Sequence, residues 1–434
     1  MGFIVLINSD QEIKRKIETA FRREKCYDFP IIMMADEKQI LESLNFDLPE
    51  IVIMNISDPR VSYKSIAEQV RKDSWLHSFG IIGLYDGGKQ KEQDLSEELR
   101  DLNVLVMLDY SRIASHIVKS VSIIAKNWQL IYQKDISSHF MEHSSGSFSI
   151  GNDILSVSIY AGIAVTNLVQ RGFLAPENKM HLQLALSELI FNGIEHGHCG
   201  ITFDEKTAYL NSGKSVIDLV IEKCRNPEIA AKRVHFEWET EQDKSVFTIR
   251  DEGDGFDVQK IYKKVDDNDP FSQHGRGILM AENLCESVTY NDKGNEVTVV
   301  FKHDLSVARE APLGFAKEEV LYPSAGDTIF REGEKGNFLY YIASGRYTIY
   351  HNGKIVGVST PSDLFMGEMA FLLNNRRSAT VKAETPGKLI RISRKSFVQV
   401  MKRYPHYGIF LSKLLARKIV RANEQHSAGK KEPL

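Results

Sequence analysis

Residues 188–197 read ELIFNGIEHG. Read as a helix, this stretch puts Glu188, Asn192 and His196 on one face, because residues four apart stack along a helix. Two later segments complete the pattern: DEGDGF at 251–256 and HGRGI at 274–278. A strand delivers Asp251 into a glycine-rich turn. A second glycine-rich turn, Gly275-Arg276-Gly277, opens another helix whose free N–H groups can receive phosphate. Each segment alone is weak: Glu-x-x-x-Asn is usually a solvated helix face, and DEGDG is more often a plain turn or a calcium-like loop. Their order and separation together describe one ATP pocket.

The residue types suit that ligand. The amino group of adenine needs a buried acceptor, which Asp251 supplies at a strand end. Gly253 and Gly255 let backbone approach the flat base where a Cβ would block it. Asn192 offers a side-chain oxygen to Mg²⁺, which keeps most of its waters and phosphates. Glu188, one turn earlier, faces the same pocket and is placed to position or deprotonate an attacking hydroxyl. For His196 a pocket role stands beside a hydrogen-bonded structural one, and Arg276 either reaches phosphate or faces water.

This constellation resembles the GHKL (Bergerat-type) ATPase superfamily, with an N box at 188–196, a G1 box at 251–255 and a G2 box at 275–277. Within that superfamily it is most similar to the anti-sigma-factor serine kinases. The segment between Phe256 and Gly275 is short, as in that group, and no helical hairpin with a phosphorylatable histidine precedes the pocket. The resemblance implies that Glu188 is the base, Asn192 the magnesium ligand and Asp251 the adenine acceptor. The segment 198–233 is longer than the minimal kinases need. It is expected to form a partner-binding surface or to alter the pocket.

Around this centre, the expected architecture is multidomain: α/β, then α+β, then β. Short apolar runs at 3–8, 51–56, 80–85 and 103–108 alternate with helical patterns, so 1–125 reads as a doubly wound sheet. Residues 126–153, including the polar HSSGSFSIGND, read as a linker. In 154–304 helices come first. VHFEWET (234–240) and SVFTIRD (245–251) then signal a hairpin, and EVTVVFK (296–302) a third strand. Residues 305–316 read as a second linker. From 317 to 425, turn residues recur between short strands, suggesting a small β-barrel or sandwich closed by amphipathic helices near 394–402 and 407–422. A tail covers 426–434.

The segment MGEMAFLLNNRRSATV (366–381) states a second chemistry. A cyclic phosphate wants an arginine fork and helix-terminal N–H groups, and a ribose hydroxyl wants a carboxylate. Gly367, Glu368, Arg377 and Ser378 provide these. The segment resembles the phosphate-binding cassette of cyclic-nucleotide-binding domains. By that resemblance Glu368 takes the ribose 2′-hydroxyl and Arg377 the cyclic phosphate, of cAMP or cGMP. The competing interpretation is a structural barrel in which Glu368 and Arg377 pair with each other.

Residues 1–125 resemble a response-regulator receiver in strand order. A working receiver needs acidic residues after its first strand, an aspartate after its third and a lysine after its fifth. Here the positions read Asn8-Ser9-Asp10, Asn55 and Leu108-Asp109. The expectation is a pseudo-receiver that is not phosphorylated on aspartate and binds a partner or dimerises; an unrelated α/β domain is the alternative.

Composition is globular, with 42% apolar and 26% charged residues over 434 positions. A net charge of −3 gives no field for nucleic acid or anionic lipid. The four scattered cysteines suggest neither a zinc site nor a disulfide framework. No basic n-region, membrane span or helix-turn-helix is expected. Composition points to a soluble cytoplasmic protein, and the two resemblances imply a bacterial signalling protein that is an ATP-dependent serine/threonine kinase regulated by cyclic nucleotide. By resemblance its partners would be a STAS-domain protein and a sigma factor, with a homodimer among the expected states. A non-catalytic ATP- and cyclic-nucleotide-binding adaptor is the alternative, and a degenerate histidine kinase a third.

Overall fold

The computed structural model describes residues 3–25, 29–77, 79–127, 144–241, 243–255, 281–304 and 308–428. The apolar runs near the N-terminus become β1 (Ile4–Ile7), β3 (Ile51–Asn55), β4 (Gly80–Tyr85) and β5 (Val104–Asp109), joined by β2 (Ile31–Met34). They form a parallel sheet of order β2-β1-β3-β4-β5. Strands covered on both faces can be apolar throughout, which is why these segments lack alternation. One face is covered by the helices Gln11–Arg23 and Ile113–Lys126, the first N-capped by Asp10.

The edge strand β5 is not left open. The helices Ile154–Arg171 and Lys179–Asn192 pack beside it, and its carbonyls at Val104 and Leu105 accept from Lys179 Nζ and Gln183 Nε2. Covering an edge in this way removes a row of unpaired polar groups. One hydrophobic core therefore runs from Ile4 through Ile117 and Ile163 to Leu186 and Phe247. Ile154–Arg171 is long and apolar enough to cross a membrane by length and composition, but most of it is buried in this core.

The second sheet is antiparallel. It comprises β6 (Ser144–Ile150), β7 (Val234–Thr240), β8 (Lys244–Asp251), β9 (Ser287–Tyr290) and β10 (Glu296–Lys302), in the order β6-β7-β8-β10-β9. The expected hairpin and third strand are present. Residues 144–150, read from sequence as linker, are instead the edge strand β6, paired with β7 along its whole length. Their serines masked a two-residue alternation in which Phe148 and Ile150 face the core. Gly146 lies under Trp238, where a Cβ would come within 2.1 Å of the indole.

The last region forms two four-stranded sheets. One contains β11 (Glu319–Leu321), β13 (Phe338–Ser344), β16 (Phe365–Met366) and β18 (Lys388–Ser393). The other contains β12 (Thr328–Phe330), β14 (Tyr347–His351), β15 (Lys354–Ser359) and β17 (Thr380–Ala383). The helices Arg394–Arg403 and Pro405–Ala428 close it. These helices also touch the N-terminal sheet region. Trp75 packs edge-on against Phe365, Tyr407 and Phe410.

Candidate functional site

The helix Lys179–Asn192 does not stop at Asn192 but widens into a π-helical turn, Gly193–His198. Such turns commonly mark functional positions. Here the turn carries two glycines, four apart, that form a notch. Asp251, at the end of β8, lies in it. A Cβ on Gly193 would sit 3.1 Å from Asp251 Cβ, and one on Gly197 would sit 2.3 Å from Asp251 Oδ1. Asp251 is thereby set against the end of the N box, and Glu188 and Asn192 lie on the preceding turns of the same helix.

The loop after Asp251 is held from three sides. Gly253 N–H donates to Asp251 Oδ1 at 2.7 Å. Lys293 Nζ donates to Gly253 O at 2.9 Å, and Asn295 Nδ2 to Asp251 O at 2.9 Å. His198, buried, hydrogen-bonds Asn152 Oδ1 through Nδ1 at 2.6 Å and accepts from Glu252 N–H through Nε2. Gly255 has φ +80°, and a Cβ there would collide with Lys293 O at 1.9 Å. Gly253 is equally constrained, because its Cβ would meet Gly197 O at 2.3 Å. Burial raises the Asp251 carboxyl above its ordinary value, while the Gly253 N–H and the charges of Lys293 and Lys232 oppose the rise.

Glu188 is exposed at the helix surface. Desolvation by the surrounding protein raises its carboxyl pKa; Lys206 opposes that shift and Glu195 adds to it. Asn192 is half-buried. His196 turns outward and bonds Ile201 O through Nδ1 at 2.7 Å, closing the π turn. Gly275, Arg276 and Gly277 lie outside the described residues. Sequence reading did not single out Gly193, Gly197, Glu195, His198, Lys206, Lys293 or Asn295. The small-residue spacing within 193–197 and the turn-forming NDKGN (291–295) were the signals available. The glycines at 193, 197, 253 and 255 let the Asp251 carboxylate and the backbone at Gly197 and Lys293 pack closely together, and that carboxylate is the group able to accept from a purine amino group. The side-chain oxygen of Asn192 fits a phosphate-bound Mg²⁺.

In the last region Gly367 adopts φ +77°, and a Cβ there would come 2.3 Å from Arg377 Nη1. Arg377 is buried. Its Nη1 donates to Gly367 O at 2.8 Å and its Nη2 to Phe338 O at 2.6 Å. Its guanidinium stacks 4.2 Å over Phe330, and Nε has no partner among the described residues. Glu368 is buried at the start of the short helix Glu368–Leu372. Ser378 is exposed, and its carbonyl oxygen is bonded by His351 Nδ1 at 2.9 Å. Gly367, Glu368 and Arg377 therefore converge.

Known proteins match the regions that contain these residues. Residues 160–301 match the histidine kinase-like ATPase domain, and residues 322–404 match the cyclic nucleotide-binding domain. Over 79 residues the chain is 39% identical to a cGMP-dependent protein kinase of Plasmodium berghei, covering 18% of this chain and 9% of that protein. Over 76 residues it is 42% identical to the cAMP-dependent protein kinase type II regulatory subunit of Drosophila melanogaster, covering 18% and 20% respectively. The crystal structure of the Thermus thermophilus catabolite activator protein aligns with TM-score 0.25 and 26% identity, over 27% of this chain and 57% of that one. The chain thus spans less than two thirds of each of these relatives. It carries a GHKL-type, histidine kinase-like ATPase domain and a C-terminal cyclic nucleotide-binding domain.

Proposed function

We propose that this chain is a cytoplasmic signalling kinase of the anti-sigma-factor serine/threonine type, governed by a cyclic nucleotide. One observation carries the reading: Asp251 rests in the Gly193/Gly197 notch at the end of the helix that bears Glu188 and Asn192. In this reading Asp251 accepts from the adenine amino group. Asn192 turns its amide oxygen to the phosphate-bound Mg²⁺. Glu188 takes the proton of an attacking serine or threonine hydroxyl, and the desolvation that raises its pKa makes it a stronger base than an ordinary carboxylate. Bound ATP–Mg²⁺ supplies the phosphoryl group. The substrate class, a STAS-domain protein with a sigma factor as a further partner, follows from the resemblance of the N box and the short 256–275 segment.

The N-terminal sheet fits a receiver-like domain that has lost its phosphorylation chemistry. Asn55 is fully buried, donates to Asn8 Oδ1 at 2.7 Å and accepts from Tyr110 OH at 2.6 Å. Its amide is engaged through both its nitrogen and its oxygen and is buried away from any phosphodonor. It acts in this account as a docking body.

Labelled ATP with a candidate STAS protein tests the proposal. Transfer by the parent and none by Glu188→Ala supports it. ATP binding without transfer in the parent would leave a non-catalytic adaptor instead. ATP affinity that differs with and without saturating cAMP or cGMP measures the coupling, which must be reciprocal.

A further inference from the structure

The segment 198–233 folds into three short helices, Phe203–Asn211, Val216–Lys223 and Pro227–Ala231, and it is anchored at two points. Arg112, ahead of the helix Ile113–Lys126, donates to Ser215 Oγ at 3.2 Å and to Asp218 Oδ1 at 2.8 Å. These two residues form the capping box of Val216–Lys223. Lys223 pairs with Glu205 at 2.8 Å. Next to Glu205, Lys206 reaches the N box: its Nζ lies 2.9 Å from both carboxylate oxygens of Glu195.

Glu195 is 2% exposed, so its charge is costly without a partner. It lies three residues after Asn192 and seven after Glu188, in the π turn, and its charge reaches the Glu188 carboxyl. Without a partner, the buried Glu195 charge would add to that of Glu188 against an incoming polyphosphate. Lys206 is the nearer basic group to Glu195, with His196 Nε2 at 3.7 Å, and both Lys206 and Glu195 act on Glu188 through their charges.

We infer that Lys206 is a positioning residue of the ATP site, contributed by the insert, which cancels the charge of Glu195 so that a triphosphate can settle beside Glu188 and Asn192. This rests on the ATP reading above. The insert belongs to the pocket in this account, and its anchorage on Arg112 fixes where the ammonium sits.

The test is a double-mutant cycle on the full chain, read as ATP–Mg²⁺ affinity, with cyclic-nucleotide binding as the control for an intact fold. Lys206→Met exposes the polyphosphate to an unpaired carboxylate and weakens ATP about tenfold. Lys206→Arg keeps affinity within about threefold of the parent, because the charge is retained. Glu195→Gln acts in the opposite direction and tightens ATP by about threefold or more, since it removes a negative charge and keeps the side-chain shape. The pair Glu195→Gln with Lys206→Met returns near the parent. A purely structural ion pair would change thermal stability and leave ATP affinity alone. Unchanged affinity in Glu195→Gln, or a double variant no better than Lys206→Met, overturns the inference while leaving the ATP site standing. A parent that binds no ATP overturns both.

Discussion

The hydroxyl of Tyr407 donates a hydrogen bond to Asp73 Oδ1, joining residues 334 positions apart. Asp73 also faces His406 and accepts from Trp75 Nε1, and these contacts hold its carboxyl below the ordinary range against the cost of burial. Trp75 touches Phe365, one residue before Met366 and two before Gly367 of the cyclic-nucleotide cassette. The cassette and the N-terminal sheet are therefore one indole apart. Trp75→Ala is expected to lower stability by about 3 kcal/mol, because it empties a space among three aromatic rings. Tyr407→Phe is expected to cost about 1–2 kcal/mol, the worth of a hydrogen bond to a charged acceptor. Denaturant unfolding of the two variants checks both figures.

Gly197→Ala drives a methyl into the place of the Asp251 carboxylate. ATP affinity should fall by about tenfold or more, equivalent to some 1.4 kcal/mol, while cyclic-nucleotide binding is unchanged. Titration of both ligands against the purified variant separates the local effect from a global one.

Lys179 is buried and, among the described residues, donates to Gln183 Oε1 at 3.0 Å and Val104 O at 3.4 Å. Burial lowers it from 10.5 to about 7. The unfolded chain binds more protons than the folded one between those values, so this group makes stability rise with pH across that window. Lys179→Met should stabilise the protein at pH 7 by about 1–3 kcal/mol. The gain should shrink as pH approaches 10, measured as the difference in Tm from the parent.

His198 shows the same sign at lower pH. Burial takes it from 6.5 to about 4, so it is neutral where it holds Glu252 N–H. His77, buried near Asp73, is also lowered to about 4. The unfolded chain takes up these protons below 6.5 and the folded chain only near 4. Stability is full above 6.5 and declines as pH falls from 6.5 to 4. His198→Gln should remove about 2 kcal/mol of that decline. Urea unfolding at pH 7 and pH 4.5 measures it.

Much of this was legible in the chain. The parallel strands announced themselves as unbroken apolar runs, and the β7–β8 hairpin by its alternation. The order of the three glycine and acid segments pointed to the nucleotide pocket. Strand β6 was hidden because four of its seven residues are serine and one is glycine, a composition that reads as linker until Trp238 is seen lying on Gly146. Lys206 was hidden for a different reason. Its partner is eleven residues away across a turn and a helix start, a spacing with no periodic signature. His198 shares that difficulty: the residues it joins, Asn152 and Glu252, lie 46 and 54 positions from it on either side. Shared core between the first sheet and the ATPase helices is likewise a tertiary fact, carried by an edge strand that any sequence window reads as self-contained.

The most direct measurement of the central claim is ATP–Mg²⁺ binding by the full chain, its Asp251→Asn variant and its Glu188→Ala variant, with phosphoryl transfer followed in parallel. The account predicts that Asp251→Asn loses ATP by about tenfold or more, since an amide that donates cannot replace both carboxylate oxygens, while Glu188→Ala binds ATP and transfers nothing. Parent-like ATP binding by Asp251→Asn would contradict it.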